Sequence, residues 1–415
     1  MALDPIGSKI GIGPIQSNDQ AVTPLLFSPI RLRSVLIRNR IVVSPMCQYA
    51  SVDGAPTTWH LVHLGRLAIG GAGAVFCEET AVEARGRKTY TCAGIWSDKH
   101  VPEYRRITDF IKTQGAVPAI QLGHSGRKAS SHGANRDWTP LTKADAADGL
   151  LPWTGVAPSA IPASEGSHVP KAMDTDDIKI VLRAWHDAAL RSLDAGFDIC
   201  EIHGAHGYLI HQFLSPITNQ RTDGYGGSRE GRMRLALEIA ETVREAWPSD
   251  RPLFFRVSAV DGPGGSWDIE DTVALARALA LRGVDVIDCS SGGITGNSTM
   301  PVVRRVPGYQ VGFAERVRRD AHVKTVAVGL ITKGTQAEAI LRSEQADLIA
   351  LARELLWNPN WPAHTALELG LDDPYGLLPK EYAHRLRRRE EVSRLPINCG
   401  GESAAQEDIR LIETT

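Results

Sequence analysis

The stretch Phe-Asp-Ile-Cys-Glu-Ile-His-Gly-Ala-His-Gly-Tyr, residues 197–208, decides the fold. Its first half is a short apolar run of the kind that forms a buried strand. His203, His206 and Tyr208 stand at the end of that run and directly after it. In a barrel of parallel strands, residues just past the carboxyl end of a strand face the ligand-binding mouth. The stretch therefore predicts a strand together with three hydrogen-bonding side chains at a site.

Similar apolar runs recur along the chain, most of them separated by helical patterns. Parallel strands that are covered on both faces read as nearly continuous apolar runs, and alternation with helices indicates crossover connections. The pattern predicts an α/β fold, a (β/α)8 TIM barrel with N- and C-terminal extensions, and a doubly wound open sheet is the structural alternative. The predicted strands are residues 40–45, 74–79, 117–122, 197–203, 252–258, 284–289, 323–328 and 348–351.

Two segments lie outside the predicted barrel. The first 25 residues are rich in Gly, Pro, Ser and Gln without periodicity, and the chain ends in a charge run followed by a polar tail. We therefore expect an N-terminal extension at residues 1–25, a barrel at 26–370 and a C-terminal extension at 371–415. Residues 130–172, after the third strand, are rich in Pro, Gly and Ser, which favours a functional loop or lid.

Composition limits the class of protein. The 415 residues carry 46 Lys and Arg against 48 Asp and Glu, so no overall positive field attracts nucleic acid or an anionic membrane. No apolar run reaches the ~18 residues of a membrane span, and the N-terminus lacks the pattern of a signal peptide. Six scattered cysteines without a C-x-x-C pair argue against a zinc ribbon or an iron–sulfur cluster. We expect a soluble cytoplasmic enzyme that binds neither nucleic acid nor membrane.

The two histidines and the tyrosine of the first stretch have three interpretations. In the first, the imidazoles hold an anion or a carbonyl oxygen during catalysis and the phenol donates a proton. The second is a metal site, because His-x-x-His near the carboxylate of Glu201 resembles a ligand set. The third is a pair of structural histidines whose hydrogen bonds are satisfied. The residues alone leave these alternatives open.

Other predicted strand ends carry further polar groups. Cys47 and Tyr49 follow the first strand, and the third strand ends near Gln121, with Lys128 soon after it. Arg256 stands inside an apolar run, where a buried and unpaired charge is very costly. Either an internal Glu or Asp neutralises Arg256, or a bound anionic cofactor does.

The ends of the late strands are rich in glycine and other small residues. Loops after strands seven and eight commonly form a phosphate cradle in barrel enzymes. A mouth with a phosphate site on one side and polar ring-binding groups on the other fits flavin mononucleotide (FMN). No G-x-G-x-x-G follows an early strand, which disfavours a resident dinucleotide in a Rossmann domain. The candidate phosphate-binding residues are Gly293, Gly329, Ala352 and Arg353.

Several ordered motifs carry a family resemblance. They are SPMCQYAS, WHLVHLG, GIWSD, QLGHSGRKA, EIHGAHGYLIHQFLSPITNQRTDGYGGSRE, FRVSA, SSGG and RELLWNP. In these motifs the chain resembles the Old Yellow Enzyme family of FMN-dependent ene-reductases, from about residue 26 to residue 362. Cys47 resembles the thermophilic-like branch of that family, in which a cysteine lies by the flavin.

The resemblance implies a role for each matching residue. His203 and His206 would hold the carbonyl oxygen of the substrate, and Tyr208 would protonate its Cα. Tyr49 and Lys128 would line the substrate pocket together with the two histidines. FMN would be bound by residues from several strand ends: Pro45, Met46, Cys47, Gln121, Arg256, Gly293, Gly329, Ala352 and Arg353.

The implied activity is reduction of the activated C=C bond of a small α,β-unsaturated carbonyl or nitro compound, with NADPH or NADH as the hydride donor. Hydride would pass from flavin N5 to Cβ, and the proton from Tyr208 to Cα. We also expect a homo-oligomer, either a dimer or a tetramer. The alternative from another enzyme class is a metal-dependent barrel lyase or hydrolase that uses His203, His206 and Glu201. A flavin-binding protein without turnover is a third hypothesis.

The chain departs from the family pattern at a few positions. Glu79 replaces a small residue beside the expected flavin edge, where it either turns aside to a salt bridge or to solvent, or faces the flavin. If Glu79 faces the flavin and is ionised, it would lower the reduction potential of the flavin. If it faces the flavin and is protonated, it would donate a hydrogen bond. Ala352 replaces the usual glycine, and the family's C-terminal Tyr-x-Arg reads Tyr382-Ala-His-Arg385, one residue late for a contact across subunits. Cys399 alone follows the barrel, too few cysteines for an iron–sulfur cluster.

Overall fold

The structure is a computed structural model that describes residues 23–262, 266–295 and 304–393. Nearly all of the predicted N-terminal extension, the tail after residue 393 and Cys399 lie outside the described residues. The domain boundaries expected at residues 25 and 370 stay predictions.

Two small sheets lie outside the barrel. Strands β1 (Ile30–Leu32) and β2 (Val35–Ile37) form an antiparallel hairpin just before the first barrel strand. Strands β6 (Val156–Ala157) and β7 (Lys171–Ala172) pair in parallel within the long loop at residues 130–172. This short pairing ties the two halves of the loop to each other.

Parallel strands close into a barrel within the part of the chain that the structure describes. Each strand forms at a predicted apolar run, and its ends differ from the predicted ends by two residues or fewer. Because the last strand pairs with the first, the predicted (β/α)8 barrel is confirmed and the open sheet is wrong. In order around the barrel the strands are β3 (Ile41–Val43), β4 (Ala74–Ala81), β5 (Val117–Gly123), β8 (Ile199–Gly204), β9 (Leu253–Ser258), β10 (Val286–Ser290), β11 (Lys324–Val328) and β12 (Leu348–Leu351).

Helices cover the outside of the barrel through apolar faces. The face of α3 that buries Ile178, Val181 and Trp185 is an example, since these residues recur at helical spacing. Among the described residues, no helix combines the length and the apolar character needed to cross a membrane. The helices are α1 (Thr58–Ile69), α2 (Val101–Thr113), α3 (Thr175–Asp194), α4 (Leu209–Leu214), α5 (Arg229–Ala246), α6 (Ile269–Ala280), α7 (Val311–Ala321), α8 (Gly334–Arg342), α9 (Arg353–Trp357), α10 (Trp361–Glu368) and α11 (Lys380–Ser393).

The barrel interior has an apolar floor and a polar layer above it. The floor is a buried cluster of aliphatic and aromatic side chains that includes Phe76 on β4 and Phe254 on β9. Because side chains alternate between the two faces of a strand, the inward position after Phe254 is Arg256. Asp288 on β10 pairs with Arg256, and Gln121 pairs with Glu201 one inward position lower, on β5 and β8. The polar layer therefore lies directly under the mouth at the carboxyl ends of the strands.

One strand is irregular at this level. The pairing of β4 with β5 shifts between Cys77 and Glu79, so that Glu78 forms a β-bulge. A bulge inserts one residue into a strand and resets which side chains point inward. Beyond it, Glu79 pairs with Gln121 and lies on the interior face.

Candidate active site

The loop after β8 brings the predicted histidines and tyrosine together. Its turn requires a left-handed backbone, with φ of +58° at His206 and +70° at Gly207. The amide N–H of His206 donates to Ser258 Oγ at 2.9 Å, which ties the turn to the next strand. The ring centroid of His203 lies 5.0 Å from that of His206 and 5.2 Å from that of Tyr208. Lys128 Nζ lies 5.8 Å from the centre of the Tyr208 ring.

Burial sets the protonation of this cluster. It lowers the pKa of both His203 and His206 well below the usual range, and the nearby charges of Arg256 and Lys128 lower each further. Burial also raises the pKa of Tyr208 well above its usual range. The imidazoles are therefore neutral and the phenol keeps its proton, so the cluster can donate hydrogen bonds without carrying charge.

The polar layer under the mouth contains one cation and two acids. The Nε of Arg256 lies 3.3 Å from Asp288 Oδ2, and Gln121 Nε2 donates to Glu201 Oε1 at 2.8 Å. Burial, with Asp288 next, raises the pKa of Glu201 to about 8, and burial also raises the pKa of Asp288. An internal acid, Asp288, thus lies beside Arg256. This agrees with the hypothesis that an internal Glu or Asp neutralises the buried charge of Arg256.

A cavity of about 380 Å³ opens beside this layer. Its lining includes Arg256, Gly329, Ala352 and Arg353 from three different strand ends. Gly329 has φ of +119°, a conformation that favours glycine, and an added Cβ would come within 2.9 Å of the Tyr309 ring. The cavity combines guanidinium groups with backbone at close approach, which is the chemistry of a phosphate site.

Gly293 is placed apart from that cavity lining. Its carbonyl oxygen accepts a hydrogen bond from Lys128 Nζ at 2.5 Å, and Lys128 Nζ also donates to the carbonyl oxygen of His206 at 2.8 Å. Met46 packs against the apolar core outside the barrel, and Pro45 beside it is half-buried. The roles of Pro45, Met46 and Gly293 stay predictions.

Cys47 and Tyr49 follow β3 and Glu79 lies on β4, and Cys47 and Glu79 are close enough to Tyr208 to raise its pKa further. Burial, then Glu78 and Glu79, raises the pKa of the Cys47 thiol well above its usual range. Tyr49 packs edge-on against Trp138 of the long loop, with ring centroids 5.0 Å apart. Glu79 is only 3% exposed and forms no ion pair with any residue the structure describes, so it turns neither to solvent nor to a salt bridge. Burial, with Glu78 next, raises the pKa of Glu79 to about 8.

The fit of a flavin can be tested on the unpaired polar atoms here. Buried polar groups in proteins are normally hydrogen-bonded. Within the described residues, buried atoms without a hydrogen-bond partner include His203 Nδ1, Arg256 Nε, Asp288 Oδ1 and Glu79 Oε1. Beside them lies the cavity with Arg353. A polar ring with a phosphate arm, such as FMN, fits such a set of groups.

The amino-acid sequence matches the NADH:flavin oxidoreductase / NADH oxidase family over residues 25–372. The chain belongs to this family. A relative from Geobacillus sp. (strain WCH70), named NADPH dehydrogenase, is 48% identical over 349 residues, which cover 83% of this chain and 95% of the relative. The family-model match and such relatives also place the chain in the Old Yellow Enzyme group of flavoenzymes.

Solved structures agree with this membership. Morphinone reductase superposes with a TM-score of 0.69 at 27% identity, covering 84% of this chain and 90% of that one. The Old Yellow Enzyme homologue from Zymomonas mobilis gives a TM-score of 0.68 at 26% identity, covering 83% and 93% of the two chains. The protein is therefore an NADPH-dependent FMN oxidoreductase. A flavin carrier without turnover is not favoured.

The metal-dependent alternative is not favoured either. Within the described residues, no group of three or more His, Cys, Asp or Glu side chains is arranged to hold a metal ion. The proposed ligands have other partners: Glu201 accepts from Gln121, and His206 Nε2 lies 2.8 Å from Ser290 Oγ. The chain belongs to the flavin oxidoreductase family, and this membership favours a flavin enzyme over a metal-dependent lyase or hydrolase.

Sequence reasoning missed a network that holds the flavoenzyme's catalytic turn. His211 Nδ1 accepts from the amide N–H of Gly207 at 2.8 Å, and His211 Nε2 lies 2.8 Å from Asp261 Oδ1. Gln212 Nε2 donates to the carbonyl oxygen of Gly207 at 2.7 Å. The signal available was two adjacent polar residues inside the apolar run that follows Tyr208. Nothing local pointed to Asp261, which is 50 residues from His211.

Proposed function

We propose that the enzyme reduces the activated C=C bond of α,β-unsaturated carbonyl or nitro compounds. The observation that carries this proposal is that the rings of His206 and Tyr208 both lie about 5 Å from the ring of His203 at the barrel mouth, where the two imidazoles are neutral. Such a cluster suits a substrate that gains negative charge on an oxygen and needs a proton on a neighbouring carbon. NADPH is the expected reductant.

The bound FMN supplies the hydride chemistry, as cofactors generally do in such enzymes. Residues of this chain would hold it at both ends. Gln121 and Arg256 suit the polar edge of the ring, because an amide and a guanidinium can together satisfy donors and acceptors. Gly329 and Arg353, with Ala352, suit the phosphate. Cys47, a protonated thiol, would lie against the ring, with Pro45, Met46 and Gly293 nearby.

The histidine pair would bind the carbonyl or nitro oxygen of the substrate. A neutral imidazole offers one N–H donor. Donors that are fixed before the reaction and shielded from water stabilise developing negative charge strongly. His206 is fixed by its backbone bond to Ser258 and its ring contact with Ser290. This geometry supports activation of an enone by two oriented donors.

Tyr208 would then give its proton to Cα of the substrate. Because burial raises its pKa, the hydroxyl stays protonated across the working pH range until the substrate becomes basic. Lys128 is held near the Tyr208 ring by two carbonyl oxygens and would line the pocket with Tyr49. The loop at residues 130–172 covers this side of the mouth and would keep water away.

The decisive experiment compares the two half-reactions of Tyr208→Phe. Removing a positioned general acid typically costs about 10²–10⁴-fold in rate. We expect reoxidation of the flavin by cyclohexenone to slow by that factor, while reduction by NADPH changes little. Stopped-flow absorbance at the flavin band measures both steps. Tyr382→Phe, at an exposed tyrosine of α11, is the matched control. Equal losses in both half-reactions of Tyr208→Phe would contradict the proposal.

We also propose that the chain forms a dimer or a tetramer and works in the cytoplasm. Self-association is supported by an apolar surface that we call the α1–α9 patch, defined as Trp59, Val62, Leu356 and Trp357. All four side chains are exposed, and Arg66 Nη2 donates to the carbonyl oxygen of Leu356 at 2.8 Å, so the two helices adjoin. Arg385 lies exposed on α11, and a contact with a neighbouring subunit stays a prediction.

A further inference from the structure

A second cavity, of about 170 Å³, adjoins the substrate side of the mouth. Its lining includes three basic side chains, Lys88, Arg127 and Lys128, and the indole of Trp138. Two contacts join it to the active site: Trp138 packs against Tyr49, and Lys128 lies near Tyr208. A substrate held by the histidine pair could therefore extend into this cavity.

Lys88 differs from its two basic neighbours in having no polar partner among the described residues. Arg127 donates to the carbonyl oxygens of Pro162 and Ile294, and Lys128 donates to two others. The Lys88 ammonium forms no hydrogen bond or ion pair with any residue in the described ranges, although the side chain is only 8% exposed. Its contact is with Trp138, where Nζ lies 3.5 Å from the ring centre. A cation–π contact compensates only part of the lost hydration.

The groups around Lys88 do not neutralise it. The acid that influences its pKa is Glu79, whose own pKa of about 8 makes it mostly uncharged at pH 7. The Cys47 and Cys92 thiols also face it, and burial raises the pKa of each. On the rim stands the exposed carboxylate of Asp137, which forms no ion pair with the described part of the chain. Burial lowers the pKa of Lys88 and of Lys128, so an anionic group that entered the cavity would stabilise their charged forms, which no described acid compensates.

We propose that Lys88 binds a carboxylate group of the substrate, so that this enzyme prefers unsaturated carbonyl compounds that also carry a carboxylate. This inference rests on the proposed ene-reduction and names its substrate class. The carboxylate would accept hydrogen bonds from the Lys88 ammonium, and the Trp138 ring would cover the apolar chain between the two polar ends. An ammonium and a carboxylate in such a dry site form a strong, charge-assisted hydrogen bond.

The phosphates of NADPH are the other anions that reach this mouth. A phosphate site would need a different arrangement of side chains, because a pyrophosphate or a 2′-phosphate binds to several free hydrogen-bond donors at once. Of the three cations here, Arg127 and Lys128 already donate to backbone carbonyl oxygens. One unpaired and nearly buried ammonium matches a single carboxylate better. Phosphate binding is therefore an outcome of the test that would overturn the proposal.

The test is a binding titration of the oxidised FMN-loaded enzyme. The hydroxyl group of a phenol imitates the enolate oxygen. 4-Hydroxybenzoate carries a carboxylate where 4-cresol carries a methyl group, so the two phenols form a probe pair. The dissociation constant of each follows from the shift of the flavin absorption band. We expect the wild-type protein to prefer 4-hydroxybenzoate, and Lys88→Met to reduce that preference about tenfold or more, the usual range for a charge-assisted hydrogen bond. Lys88→Arg should retain the preference, because it keeps the cation.

Lys143→Met is the matched control, since Lys143 is an exposed lysine of the long loop that carries Trp138. The proposal is overturned if wild-type enzyme shows no preference, if both phenols lose affinity equally in Lys88→Met, or if that variant impairs flavin reduction by NADPH and not the phenol preference. The titration needs no turnover of an enone. A failure of carboxylate recognition is therefore distinguishable from a failure of ene-reduction, which the Tyr208→Phe half-reactions decide.

Discussion

At the scale of single residues, Glu79 is an acid whose surroundings make ionisation costly. It lies on the interior face of β4, and the absence of a side chain at Gly123 gives it room, because a Cβ there would collide with Glu79 Oε1. With a pKa of about 8, it is protonated at pH 7 and ionises as the pH rises through that value. It is thus a hydrogen-bond donor at neutral pH and an anion in alkaline solution.

We expect the midpoint potential of the bound FMN to report this ionisation. Reduced FMN carries negative charge on the ring, so an ionised Glu79 opposes reduction. Below about pH 7, Glu79→Gln and wild-type protein should show parallel pH dependences. Above pH 8, the wild-type potential should fall below that of Glu79→Gln. The difference should correspond to about 1–3 kcal/mol, the interaction of a unit charge on Glu79 with the charge of the reduced ring. Potentiometric titrations from pH 6 to 9.5 measure it.

Glu165→Gln, at an exposed position of the long loop, is the control for general charge effects on the potential. If the curves of Glu79→Gln and wild-type protein stay parallel up to pH 9.5, Glu79 does not act on the flavin.

At the scale of elements, the turn after β8 depends on the junction between α4 and the loop after β9. His211 and Asp261 are fully buried, and Ser215 Oγ donates to the second carboxylate oxygen of Asp261 at 2.6 Å. His211 in turn accepts a hydrogen bond from the amide N–H of Gly207, which is next to the catalytic His206. Asp261 therefore acts as a positioning residue: among the described residues, His211 is what connects it to the catalytic turn.

We expect Asp261→Ala to lower the free energy of unfolding by about 1–3 kcal/mol, because His211 is left buried without its partner. It should also weaken 4-cresol binding, since the turn that carries His206 loses its support. Urea denaturation and flavin-band titration measure the two effects.

The control is Asp174→Ala, which removes the side chain that accepts from the amides of Asp176 and Asp177 at the start of α3. Loss of such a cap costs about 1 kcal/mol. If the two variants weaken phenol binding alike, the positioning role of Asp261 is wrong.

The strands show why part of the fold was predictable. Runs such as Leu348–Leu351 are apolar because both faces of a parallel strand are covered, and this is a local property of the sequence. The pairing of Arg256 with Asp288 is different, because it exists only once neighbouring strands align in register. Glu79 points inward because of the bulge at Glu78, and no pattern of apolar residues predicts that bulge.

At the scale of the whole molecule, the α1–α9 patch is one apolar surface that the described helices leave uncovered. Trp357 is 86% exposed and Trp59 55% exposed. A double replacement, Trp59→Glu with Trp357→Glu, would place charges where a second copy must be apolar. We expect it to shift a dimer or tetramer toward monomer in sedimentation velocity, with Val392→Glu on exposed α11 as the control. A monomeric wild-type protein, or an unchanged oligomer in the double variant, would count against the patch.

The β-bulge of β4 gives two adjacent glutamates separate surroundings. The carboxylate of Glu78 accepts the amide N–H of Gln48 at 2.9 Å and lies 3.1 Å from His60 Nε2, whereas Glu79 lies inside the barrel. Deletion of Glu78 and deletion of Glu79 would give the same amino-acid sequence, because the two residues are adjacent and identical. The remaining glutamate would have to occupy both environments. Substitution at position 79, in contrast, leaves the contacts of Glu78 untouched. The two positions can therefore mutate independently, and the interior acid can change in evolution without loosening the barrel from α1.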